Sequence, residues 1–144
     1  MDLMNGETYR TAPLKAGSAG PRILMRLATD PEISGDARGE PLVRADIDSI
    51  TLTAYSCTPN AVNGHRDYAV IDDYDGITLT VANVVDDTLQ PWIGDDAGYN
   101  AHYLVPADVF ADATDGDYGK LKFEFELAST GEVLTQVIEG KLLF

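Results

Sequence analysis

Five aspartates in two short segments are the residues of this chain most obviously suited to chemistry. Asp112, Asp115 and Asp117 precede the stretch KLKFEFEL, and Asp73 and Asp75 stand in DDYDG. Carboxylates so spaced can converge on calcium, which takes about six to eight oxygen ligands, as in a D-x-[DN]-x-[DN]-G loop closed by a glutamate. Asp73, Asp75 and Gly76 fit part of that pattern, but Ile71 occupies the first ligand position and Ala82 the place of the closing glutamate. Aspartate is also a favoured turn former, because its side chain bonds to the backbone two residues on. The expectation is therefore solvated turns and no metal.

The other reactive side chains form no stronger pattern. His65 and His102 lie at neither His-x-x-x-His nor Cys-x-x-Cys spacing, which argues against zinc. AGSAG, around Ser18, has Ala16 where a nucleophile elbow needs glycine, and no strand leads into it. GSAG is too short for a phosphate loop. Paired carboxylates abound and cannot mark a glycosidase pair without geometry. Cys57, the single cysteine, excludes an intrachain disulfide and reads as a small apolar residue near a strand end. Trp92, Tyr99 and Tyr103 would make a sugar platform if exposed, whereas a buried Trp92 would plug the end of the fold. No nucleophile–base pair can be named, so the sequence predicts a protein that is not an enzyme, with no catalytic residue and no cofactor.

The elements that carry these residues read as short strands. In KLKFEFEL, Leu121, Phe123, Phe125 and Leu127 alternate with Lys120, Lys122, Glu124 and Glu126, one apolar face and one solvated face. ADIDSITLTAYSC (45–57) sets Ile50, Leu52 and Ala54 against Thr51, Thr53 and Tyr55. Further strands are predicted over 22–28, 67–71, 77–85 (Ile77, Leu79 and Val81 inward), 99–105 and within 132–144. Asn63-Gly64 is a hairpin signal, and Gly131 is placed to supply a left-handed turn residue. PADVFADA (106–113) is compatible with one helical turn. Gly116 two residues before Tyr118 predicts a tyrosine corner, with Gly119 as a bulge that restores the phase of the strand. About seven strands spaced by turn chemistry predict an all-β fold, an antiparallel immunoglobulin-like β-sandwich over residues 22–144.

Residues 1–21 show neither helical nor strand period and are expected to form an extended N-terminal arm outside the sandwich. Its large apolar groups are Leu3, Met4, Tyr9 and Leu14. They are too few to order the segment alone, since fixing each backbone residue costs about 1–2 kcal/mol. The arm is thus expected to lie on a neighbouring subunit with these four residues as its interface anchors.

At 144 residues the chain is long enough for a single core, and hydrophobic residues make up 44% of it. Twenty-four acidic against ten basic residues give a formal charge of −14. Such a surface repels phosphate backbones and anionic lipid, so neither nucleic acid nor membrane is an expected partner. MDLMNGETYR lacks the apolar segment of a secretory signal, and no 18 apolar residues run together. The expected place of the protein is the cytoplasm, unless it leaves within a larger particle.

Four stretches, ADIDSITLTAY, GITLTVANVVDDTLQ, GYNAHYLVPADVF and DGDYGKLKFEFELASTGEV, resemble the immunoglobulin-like β-sandwich modules of tailed-bacteriophage virion proteins. That resemblance implies a non-enzymatic structural protein of the virion, assembled in the host cytoplasm. It implies a capsid decoration or cement protein docked on other virion subunits, major capsid or tail proteins, as a homo-oligomer or multi-copy assembly. The alternatives are a tail or baseplate adaptor, or a free carbohydrate-binding β-sandwich module.

Overall fold

The alternation in KLKFEFEL produces the central strand of the fold. The computed structural model describes residues 7–11, 14–15, 22–25, 27, 42–59, 62–85 and 101–143. In chain order the strands among them are β1 (Glu7–Thr11), β2 (Leu14–Lys15), β3 (Arg22–Met25), β4 (Ile47–Cys57) and β5 (Ala69–Val70). They continue as β6 (Ile77–Leu79), β7 (Ala101–Leu104), β8 (Tyr118–Leu127) and β9 (Val133–Leu143). The main sheet runs β1-β9-β8-β4-β5, with β2 also on β9 and β6 also on β4, and β3 pairs with β7 in a second sheet. The β9-β8-β4 order and the β3-β7 pair are the G-F-C and B-E arrangements of an immunoglobulin-like sandwich.

The core lies where the inward residues of the two sheets meet. Ile50, Leu52 and Ala54 of β4 stand opposite Phe125, Phe123 and Leu121 of β8 in an unbroken antiparallel register, and all six are fully buried. β9 adds Leu134, Ile138 and Leu142, and the second sheet adds Ile23, Met25 and Ala101. Each large side chain so buried stabilises by about 1.5–3 kcal/mol before entropy is counted. Phe123 anchors the layer: Tyr103 meets it edge-on at 5.4 Å, and Phe125 stacks beside it at 6.4 Å. The β8–β9 hairpin closes through Gly131, at φ 73°, as its sequence predicts.

Three expectations are corrected. The segment 77–85 is not one strand: β6 ends at Leu79, and Val81–Val84 form a helical turn. Arg44 fixes that turn, donating from Nε to the Val85 carbonyl at 2.6 Å and from a terminal nitrogen to that of Ala82 at 3.1 Å. Tyr118 does not build an inward tyrosine corner. It lies on the outer face with Lys120, Gly119 is the buried residue, and the register of β8 passes through Gly119 without a bulge. A Cβ at Gly119 would stand 2.8 Å from the Phe110 ring and 2.9 Å from Leu142, so only glycine fits there.

The third correction concerns the N-terminus. Residues 7–11 and 14–15 are strands of the main sheet, paired in parallel with β9 of their own chain. Leu14 is fully buried in the core, so it is not available to a neighbouring subunit. Tyr9 stands opposite Val137 in the register. Leu3 and Met4 lie outside the described residues, as do Ser18, the loop 30–41, and Trp92 and Tyr99. The sandwich therefore begins before residue 22.

Candidate functional site

Three of the five aspartates that the sequence singles out, Asp73, Asp112 and Asp117, line one cleft of the sandwich. The edge strand beside β4 is interrupted: β5 pairs with Tyr55–Ser56, β6 with Ile50–Leu52, and residues 72–76 protrude between them. Gly76, at φ 66°, turns the chain back, and its N–H donates to Thr53 Oγ1 at 3.2 Å. Opposite this protrusion, residues 106–113 form consecutive tight turns whose Val109 and Phe110 are buried. A cleft of about 560 Å³ separates the two, with Asp72 and Asp73 on one wall, Asp108 and Asp112 on the other, and Asp117 with Thr58 at its base.

The geometry ties two of these carboxylates, Asp117 and Asp108, to structure. Asp117 is buried, and its two oxygens accept from the Thr58 hydroxyl at 2.7 Å and the Thr114 amide at 2.9 Å. Burial by itself would raise its pKa, but those hydrogen bonds prevail and hold the carboxyl below its usual range. Its backbone closes the corner as well, with the N–H bonded to the Thr114 carbonyl at 3.0 Å and the C=O accepting from Leu142 at 2.9 Å. The corner that the sequence suggests at Tyr118 is thus built on Asp117. Across the cleft, the Tyr74 hydroxyl donates to Asp108 at 2.7 Å and clamps the protrusion to the turns. Burial and this acceptor push the Tyr74 phenol well above its ordinary pKa. Asp73, Asp75, Asp112 and Asp115 are exposed, and no cluster of three or more potential ligands is found among the described residues.

The remaining reactive groups are dispersed. Cys57 is buried, and burial pushes its thiol pKa up, away from the thiolate form. His65 lies in the exposed stretch 62–67 beside Asp67, at 3.1 Å, whereas His102 lies on β7 beside Arg22. Tyr103 packs against Phe123 in the core, where burial raises its phenol pKa, so this ring serves packing more than an open platform.

The outer face of the main sheet is a second organised surface, and sequence reasoning passed over it as simply solvated. Lys120 Nζ lies 4.6 Å from the ring centres of both Tyr55 and Tyr68, and the Arg66 guanidinium lies 3.8 Å over Tyr118. Tyr68 donates to Glu139 at 2.7 Å, and burial together with that carboxylate raises its pKa. The cross-strand pair Tyr55–Lys120 carries the signal, since opposite residues on paired strands share a face. Scans against family models, curated proteins and solved structures find no match to this chain.

Proposed function

We propose that this protein is a non-enzymatic assembly subunit, a capsid decoration protein of a tailed-bacteriophage virion or the related tail or baseplate adaptor, docked on neighbouring virion subunits in many copies. The supporting observation is the position of β1. It forms one edge of the main sheet, parallel to the C-terminal strand, and among the described residues it has a strand partner on one side only. An edge strand presents backbone donors and acceptors that a neighbour's extended segment can pair with. The docking element is thus the edge made by the N-terminal residues within the sandwich, instead of a detached arm. Strong negative charge suits a part displayed at high local concentration, because it keeps free copies apart before assembly.

Purified parent particles provide the test. Mass spectrometry of washed virions should find this chain in many copies, and an image of the particle separates head from tail placement. Absence of the chain from washed virions, together with glycan-array hits, would replace this reading with a carbohydrate-binding module.

A further inference from the structure

The two sheets part along one side of the sandwich, and the seam holds a groove unlike the rest of the surface. β7 is bridged to Val85 at Ala101. Beyond that bridge, His102, Tyr103 and Leu104 of β7, with Arg22 of β3, face Thr78, Leu79 and Thr80 across a groove of about 390 Å³. Asn83 and Val84 of the helical turn close one end. The volume falls within the range of small-ligand sites, at its lower end.

Its chemistry is the inverse of the acidic cleft. In a chain with 24 acidic residues, none of the described residues lining this groove is acidic, and one is an arginine. Arg22 donates to Nδ1 of His102. A guanidinium has five N–H donors in a fixed fork, more than one imidazole nitrogen can take up, and the fork matches a carboxylate in bidentate geometry. Thr78, Thr80 and Asn83 add polar groups, while Leu79, Val84, Tyr103 and Leu104 supply apolar walls. The described lining carries one formal positive charge, which matches one carboxylate better than a doubly charged phosphate.

We infer that the groove between β6 and β7 binds a carboxylate carried on a small apolar body, with Arg22 as the anion-binding residue. This goes beyond the assembly role and does not depend on it. The carboxylate has two conceivable sources, a free small acid or the C-terminal residue of a peptide.

The test is a nuclear magnetic resonance titration of the full chain, following the amides of residues 78–84 and 102–104. The probes are benzoate, benzamide, inorganic phosphate, N-acetyl-leucine and N-acetyl-leucinamide. Saturable shifts at these amides are expected with benzoate or N-acetyl-leucine and not with the neutral amides. Preference for benzoate indicates a free acid, and preference for N-acetyl-leucine indicates a peptide end. Arg22→Gln should weaken binding at least about tenfold. Leu104 is half exposed, so Leu104→Glu should fold, fill the groove with its own carboxylate and abolish binding. The inference is overturned if neither acid gives saturable shifts, if the neutral amides bind equally, if phosphate outcompetes both acids, or if both variants bind like the parent chain.

Discussion

Phe110 lies against Gly119 so closely that a single methyl group at position 119 would stand 2.8 Å from its ring. This contact joins the turns of residues 106–113 to the start of β8 and leaves no room for a side chain. A Gly→Ala change at a compatible site commonly stabilises, by restricting the unfolded chain. Here overpacking outweighs that gain, and Gly119→Ala is expected to cost about 1–3 kcal/mol. Urea unfolding measures it, and a midpoint equal to or above that of the parent chain would contradict the packing described.

Phe123 is fully buried between Tyr103 and Phe125. Phe123→Ala should destabilise by about 3–5 kcal/mol, with loss of the near-ultraviolet signal of the aromatic cluster. Near-parental stability would remove Phe123 from the centre of the core.

Asp117 makes the stability of the corner depend on pH. A carboxyl whose folded pKa is depressed contributes stability above its unfolded pKa, near 3.9, and loses it as pH falls through the lower folded value. Asp117→Asn should therefore lower the urea midpoint at pH 7, and the gap from the parent chain should shrink below about pH 4. A gap that stays constant from pH 7 to pH 3 would show that the carboxylate charge plays no part.

The exposed aspartates are read as turn residues, so excess chelator should leave the melting temperature unchanged. A fall of many degrees would revive a calcium site and require its ligands to be sought again.

The long strands were legible through a two-residue period: β8 keeps it residue by residue, whereas β4 keeps it over Ile50, Leu52 and Ala54 with Thr53 buried between them. β1 and β2 were not legible. Their partner is β9, more than a hundred residues away, and the pairing is parallel, so no turn signal links them. Val81–Val84 misled because β-branched residues continue the strand pattern, whereas Arg44 holds the chain in a helical turn. Tyr118 misled through a local motif that long-range packing overrides, since the space inside is taken by Phe110 and Leu142. The aspartate turns were anticipated by residue type, but the Thr58–Asp117 bond, spanning 59 positions, has no sequence signature.

Leu14 distinguishes an integral N-terminus from a detached one. Because it is fully buried, Leu14→Ala should cost about 2–5 kcal/mol, and deletion of residues 1–15 should lower the melting temperature markedly. A truncated chain as stable as the parent would restore the detached arm.

The central claim, docking through the β1 edge, is tested most directly by a reconstruction of the parent particle at a resolution that traces strands. The account predicts many copies of this sandwich, each with residues 7–11 against a neighbouring subunit. A particle without the chain, or one in which that edge faces solvent in every copy, would contradict it.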